Sequence, residues 1–326
     1  MDARGPQFDD RSLCTDSRSF IATTGSTNVS ERKRTYSSPM AFRRALTDKL
    51  TAVAETSRWT LPQLQRQMAY DRFLERLYLV DDGWVVKGAT ALLAREIGVR
   101  ATIDVDVYRA VERQTAEADI GRAADLDIGD WFRFDIGPAR AHFDGAAGVR
   151  FSVTAYVGAT EWAQFHVDLV GSNLCMTGEP DEMPALARIA MPNVDQHGYR
   201  VYPLVDHVAD KVVAIIERHG DRPSTRYKDL VDLVAIITEV SVDAKLQRTA
   251  LQSEATRRGI ILPNRFDVPD RALWKTGYES EAQRSLLPLA QTLDEALAIV
   301  RPFVDALFDE TAIDHWDPTT LQWSRT

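Results

Sequence analysis

Residues 84–109, WVVKGATALLAREIGVRATIDVDVYR, decide how the rest of the chain is read. A short β-rich run over residues 84–88 breaks at Gly88, passes into a helical pattern over about residues 90–97, and returns as a second β-rich run over residues 103–108. In the second run Asp104 and Asp106 alternate with Ile103, Val105 and Val107. Residues two apart in a strand point the same way, so both carboxylates are expected on one face and the three apolar side chains on the other. Two carboxylates so close repel each other and are costly to bury without a cation between them. Hard oxygen donors suit Mg²⁺, which takes one or two protein carboxylates together with substrate phosphates. A small-residue turn facing the pair leaves backbone N–H groups for a phosphate. The pattern points to metal-assisted phosphoryl or nucleotidyl chemistry.

Outward from this stretch, the pattern predicts an α+β chain. Helices are expected at 40–56 and 61–79, the second opening after Thr60 with Pro62 in its first turn. A polar helix follows near 112–126, then alternating strands at 131–136 (WFRFDI), 149–157 (VRFSVTAYV) and 162–170 (WAQFHVDLV). Beyond about residue 203 the period is helical, with helices at 204–218, 226–239, 242–258, 279–290 and 292–309 and a loop bounded by Pro263 and Pro269. Three regions result: a Ser-, Thr- and Arg-rich tail over residues 1–38 expected to be disordered, a mixed-sheet core with N-terminal helices over 40–175, and a helical C-terminal half over 176–326 that completes the site. Met40, just after Pro39, is an alternative to Met1 as the start.

Composition narrows the function classes. The 326 residues suffice for a large core, and a net charge of −9 argues against a general nucleic-acid coat while leaving room for a local basic groove. Cys14 and Cys175, the two cysteines, are too few for a disulfide framework or a zinc site, which fits a reducing cytoplasm. No apolar run approaches a membrane span, and the N-terminus lacks a signal-peptide stretch.

Each motif has a duller explanation. A glycine after a strand is usually only a turn, and an isolated acidic pair is more often a solvated edge. The two reinforce each other because strand, turn, helix and strand can bring them together. Asp168, flanked by Val167 and Leu169, is depleted on strands and expensive if buried. If its strand lies beside residues 103–108, three carboxylates converge, enough for two divalent ions. Lys211 sits at the margin of an apolar helical stripe, where lysines commonly snorkel; its sharper role is to reach a triphosphate. Asp229 and Asp232 share the face of the next helix, where salt bridges to Lys211 or Arg226 are the plain alternative. Arg218, Arg222, Arg226 and Lys228 form a local basic excess that is either solvated or lines an RNA approach. No histidine shows metal-ligand spacing, and Trp162, Trp274, Trp316 and Trp323 read as packing residues.

In their order, these motifs resemble the AbiEii/AbiGii toxin nucleotidyltransferase family of the polymerase-β-like superfamily. Residues 87–92 (KGATAL) resemble its KGGT-type turn, with Ala89 standing where a second Gly or Ser is usual. Residues 100–106 (RATIDVD) resemble its R-x-[ST]-x-D-x-D stretch, residues 210–218 (DKVVAIIER) its D-K-x-x-A-x-x-x-R helix, and residues 226–233 (RYKDLVDL) its R-x-K-D-x-x-D-L motif. The resemblance implies a nucleotidyltransferase fold and NTP as substrate. Lys87, Gly88, Ala89, Thr90, Thr102 and Lys211 would serve the nucleotide, with Lys211 on the triphosphate. It implies one or two Mg²⁺ ions held by Asp104, Asp106 and, less conserved in such proteins, Asp168, and catalytic roles for Asp104, Asp106, Lys211 and Asp229. It further implies an RNA acceptor such as the tRNA 3′ end, a block of translation in phage defence, and a cognate antitoxin. The acidic balance leaves a small-molecule or protein hydroxyl as an alternative acceptor, and a catalytically inactive binding partner as a further one.

Overall fold

The chain folds, in a computed structural model, over described residues 35–142, 148–171 and 174–325. Helix α1 (Pro39–Thr56) starts where the Ser38 hydroxyl accepts from Ala41 N, and it buries Phe42, Leu46 and Leu50 along one stripe. Helix α2 (Leu61–Val80) starts at a Thr60–Gln63 capping box. Then come β1 (Val85–Val86), α3 (Gly88–Ala94), β2 (Asp104–Tyr108), α4 (Arg113–Asp125), β3 (Phe132–Ile136), β4 (Arg140–His142), β5 (Gly148–Val157) and β6 (Thr160–Leu169). The second half carries β7 (Asp181–Met183), β8 (Tyr199–Val201), α5 (Leu204–Ile216), the hairpin β9 (Arg218–His219) and β10 (Arg222–Pro223), α6 (Tyr227–Glu239) and α7 (Ala244–Arg258). Helices α8 (Arg271–Arg284) and α9 (Leu293–Phe308) and the hairpin β11 (His315–Asp317) and β12 (Gln322–Ser324) close it.

A mixed sheet runs in the order β3-β5-β6-β2-β1-β8-β7, with β4 on β5. Strand β2 is antiparallel to β1 and parallel to β6. Strands β7 and β8, which fall in the stretch assigned from the sequence to the helical half, extend this sheet, β8 pairing parallel with β1. One apolar core lies between the sheet and helices α1, α2 and α4 and reaches as far as Val201. A second is built by α5 to α9, and Leu92, Ile97 and Val99 at and after α3 belong to it. Residues 88–99 are therefore where the helical half grips the sheet. No helix among the described residues is long and apolar enough to cross a membrane.

Several boundaries differ from the sequence expectation for identifiable reasons. Helix α3 stops at Ala94, not 97, because Glu96 turns into the left-handed region at φ 65°. Strand β2 begins at Asp104, where the Thr102 hydroxyl accepts from Asp104 N and donates to Asp104 O, and Ile103, expected inside, is exposed. Helix α8 spans Arg271–Arg284, where 279–290 was expected: the Asp270 carboxylate caps it early by accepting from Leu273 N at 3.0 Å, and Pro288 bars continuation. The expectation of disorder over residues 1–38 falls almost entirely outside the described residues.

Helix α2 carries buried charge through the first core. Arg72 Nε donates to Asp130 at 2.6 Å, and Arg76 donates to both Asp130 oxygens at 2.9 and 2.6 Å. Burial would raise the Asp130 carboxyl, but the two guanidiniums outweigh it and hold it down at about 2. Removing one partner of such a buried group leaves uncompensated charge. Asp130→Ala is therefore expected to destabilise the fold by about 3–5 kcal/mol in urea unfolding. A variant within about 1 kcal/mol of the parent would show that Asp130 does not hold α2 to the sheet.

Candidate active site

The turn from β1 into α3 and the strand β2 are locked together by bonds to the β2 main chain. Lys87 N donates to Asp106 O at 2.8 Å, while Thr90 Oγ1 and Thr102 Oγ1 both donate to Asp104 O at 3.1 Å. Gly88 takes φ 60°, and a β-carbon there would run into the Asp106 carboxylate. A side chain is excluded twice over, by conformation and by space. The turn and Asp106 are thus as close as chemistry at that carboxylate requires.

The parallel register of β2 and β6 sets Asp104 opposite His166 and Asp106 opposite Asp168. Asp104, Asp106 and Asp168 therefore share one face, with Val105 and Val107 buried on the other. Burial, followed by the charges of Asp168 and Asp104, pushes the Asp106 carboxyl up to about 6. The rise is the cost of charging a carboxyl that is buried and has two acidic neighbours. Strand β5 adds Arg150, directly across from Asp168. Its guanidinium donates to both Asp168 oxygens, at 2.7 and 2.6 Å, and its Nη2 lies 3.2 Å from Asp104 Oδ1. His166 Nδ1 lies 3.1 Å from the same Asp104 oxygen.

A second charged group joins the helical half to this face. Lys211 Nζ on α5, 4% exposed, donates to Asp229 at 2.8 Å and to Asp232 at 2.7 Å. Arg100, on the approach to β2, donates to both Asp232 oxygens at 2.9 and 2.8 Å, and Arg226 Nε donates to Asp229 at 2.6 Å. Burial would raise the carboxyls of Asp229 and Asp232, but Lys211 with Arg226, and Arg100 with Lys211, hold both below the ordinary range. Burial would likewise lower Lys211, yet its two carboxylates keep it above the usual lysine value. Arg226 also lowers the Asp106 carboxyl, and Asp106 raises Arg100, so the two groups share one electrostatic neighbourhood.

All four sequence motifs therefore meet, although several residues face differently from expectation. Gly88 and Ala89 open α3 ahead of its first internal bond, Ala91 N to Lys87 O, which leaves the first-turn amides for a phosphate. Thr90 and Thr102 turn their hydroxyls to the strand backbone rather than outward. Lys211, expected to reach a triphosphate, lies between two carboxylates, the plainer arrangement for Asp229 and Asp232. Lys87 is the buried cation beside the turn: its Nζ stands 4.0 Å over the Tyr202 ring, and burial, partly offset by Asp210 and Asp106, lowers its pKa. Arg218 and Arg222 form a small hairpin, and Arg218 donates to main-chain oxygens of Pro269 and Asp221. Trp162, Trp274 and Trp316 are buried, as expected.

Sequence reading missed Arg150 and His166. Counting back from the turn after Val157 pairs Arg150 with Val167, but a bulge at Ala155/Tyr156 shifts the register by one and sets it against Asp168.

Among the described residues, no three acidic, imidazole or thiol side chains already stand as a metal cage. At the strand face the oxygens are instead turned to Arg150 and His166. The donor set nevertheless fits a hard divalent cation, since every candidate ligand is a carboxylate oxygen on the shared face.

The family model described as nucleotidyl transferase AbiEii toxin, type IV toxin–antitoxin system, matches residues 72–316, well over half of the chain and all four motifs. The chain belongs to the AbiEii family. It is accordingly a nucleotidyltransferase toxin of a type IV toxin–antitoxin system. The AbiEii fold is also seen in MenT4, a nucleotidyltransferase toxin from Mycobacterium tuberculosis H37Rv: at 15% identity the TM-score is 0.53, covering 84% of this chain and 92% of that one. JHP933 from Helicobacter pylori aligns over 75% of this chain and 94% of its own, with 14% identity and a TM-score of 0.43. No curated protein matches the chain in sequence.

The Gly88 contact yields a direct test of the AbiEii turn. Gly88→Ala must strain the left-handed turn, by about 1–2 kcal/mol, and displace the Asp106 carboxylate. Nucleotide transfer is expected to fall by about 100-fold or more, the scale of losing one transition-state contact. Near-parental transfer by a folded Gly88→Ala protein would show that this approach is not needed for catalysis.

Proposed function

We propose that the chain transfers a nucleoside monophosphate from an NTP to a hydroxyl of an RNA acceptor, the tRNA 3′ end, in a Mg²⁺-dependent reaction that blocks translation. One observation carries the chemistry: Asp104, Asp106 and Asp168 gather on one face of two paired strands, opposite a glycine turn that admits no side chain. The acceptor comes from the family resemblance, and the Arg218, Arg222 and Lys228 excess beside the helical half offers a surface for it.

Asp104 and Asp106, with Asp168, would hold one or two Mg²⁺. Bound there, the metal would polarise the α-phosphate and lower the proton affinity of the attacking hydroxyl. The chain's own groups do the rest. In the transfer, the acceptor oxygen bonds to the α-phosphorus, the bond to the pyrophosphate oxygen breaks, and the hydroxyl proton leaves to a carboxylate or solvent. First-turn amides of Gly88, Ala89 and Thr90 and the buried Lys87 ammonium would meet the phosphates. A triphosphate near Lys87 stabilises the charged form that burial opposes. Lys211 would offset charge on the departing pyrophosphate, the phosphates competing for it with Asp229 and Asp232. Asp229, kept ionised by Lys211 and Arg226, would orient that lysine and is the acid of the last motif. Thr102 would fix Asp104 through its backbone. An antitoxin would restrain this activity in the cytoplasm, where the NTP and tRNA pools lie.

The test is incorporation of labelled nucleotide with each NTP in turn, offering total tRNA, protein extract and aminoglycosides separately. Label should enter tRNA, require Mg²⁺, and fall by about 100-fold or more in a folded Asp104→Ala protein. Label entering only protein or antibiotic would overturn the RNA acceptor, and undiminished transfer by Asp104→Ala would overturn the role of the strand face.

A further inference from the structure

The two charged groups of the site are balanced differently. Around Asp229 and Asp232, three cations (Lys211, Arg226 and Arg100) meet two carboxylates, all in direct contact. On the strand face, one guanidinium in direct contact, that of Arg150, serves Asp168 and Asp104, and Asp106 lies beside them. Arg150 occupies both oxygens of Asp168 and touches the Asp104 oxygen that His166 also approaches. Those are the lone pairs a divalent cation at this face would need. A guanidinium and a metal ion cannot both hold the same oxygens, because each would forfeit its contacts and the two positive charges would repel at a few ångströms.

We propose that Arg150 is a built-in counter-cation of the strand face, holding Asp168 and Asp104 together until a divalent cation displaces it. The side chain is placed for such an exchange. It is 29% exposed, so the guanidinium can leave toward solvent without opening the core. Its place on the sheet is fixed by the one-residue bulge in the β5–β6 hairpin, which sets Arg150 rather than a neighbour against Asp168. The repulsion among the acids, which would otherwise loosen the β2–β6 pairing in the metal-free protein, is relieved by Arg150 and transferred to the metal on binding. Release of Arg150 and binding of the metal are then one linked equilibrium: the ion pair that steadies the acids opposes the metal's hold on them. Arg150 is thus a positioning residue, acting through Asp168 and Asp104.

This inference rests on reading the strand face as the metal site, and the experiment separates the two. Mn²⁺ is titrated into the full-length protein without nucleotide, free Mn²⁺ being followed by electron paramagnetic resonance, for the parent, Asp104→Ala, Arg150→Met and Arg150→Lys. Arg150→Met should bind Mn²⁺ about tenfold more tightly than the parent, within the usual range for linked sites. It should also melt at a lower temperature in chelator and recover with Mn²⁺. A merely structural arginine predicts the opposite sign, weaker metal binding in its absence. Should Arg150→Met fail to fold, Arg150→Lys carries the test, because a single ammonium cannot hold Asp168 through two parallel bonds and Mn²⁺ should again bind more tightly. Unchanged or weaker binding in the folded variants, with Asp104→Ala still weakened, overturns the role of Arg150 alone. Equal binding by the parent and Asp104→Ala overturns the metal reading and this inference with it.

Discussion

Three like charges brought together on one strand face are the constraint from which the rest of this architecture follows. Parallel pairing of β2 with β6 aligns Asp106 with Asp168 and leaves Asp104 one pleat away, while Val105 and Val107 anchor the same strand in the core. Sliding the pairing by one residue would bury the acids and expose the valines, so the apolar face enforces what electrostatics resists. Arg150 answers part of the resulting repulsion at Asp168 and Asp104, while burial and those two neighbours raise the Asp106 carboxyl. A face loaded in this way stores a preference for a compact cation. That preference is the physical basis for proposing metal-dependent chemistry there.

The helical half brings a second charged group to this face. Its second core takes in Leu92, Ile97 and Val99, so α3 and the residues after it are packed from both sides. Arg100 follows at once and forms a two-bond pair with Asp232 of α6, while Lys211 of α5 bridges Asp232 to Asp229. Sequence motifs more than a hundred residues apart are thereby held by a single buried ion network. Because this network is fully paired, it fixes geometry. On the strand face one partly exposed guanidinium serves both Asp168 and Asp104, and there exchange is proposed. The division between a saturated and an unsaturated group of charges is the basis for the proposal that one part of the scaffold fixes the geometry while the other takes the metal.

Much of this was legible in the sequence. Period-two alternation around Asp104 and Asp106 placed both acids on one face, and the glycine after the first strand marked the turn they oppose. The apolar-flanked Asp168 could be tied to them only on the condition that its strand lies beside theirs, and the β2–β6 register meets that condition. Helical spacing places α1, and the Thr60 and Pro62 start places α2, each to within a residue, whereas the spacing alone puts α8 too late because its start is set by the Asp270 cap. Side-chain partners were harder to foresee. The bulge between Ala155 and Tyr156 decides that Arg150 meets Asp168, and nothing in a strand's alternation announces a bulge. The short strands β7 and β8 were lost among loop residues, for two or three residues carry no period. Lys211 illustrates the remaining limit: helical spacing shows that a lysine borders an apolar stripe, but not which acids it meets.

The most direct measurement is a crystal structure of the protein grown with Mn²⁺ and a non-hydrolysable NTP analogue, with anomalous scattering used to locate the metal. The account predicts an anomalous peak coordinated by the carboxylates of Asp104 and Asp106, with the analogue's phosphates lying against the turn at Gly88. Metal density bound elsewhere in the chain, with those two side chains still unliganded beside a bound nucleotide, would contradict it.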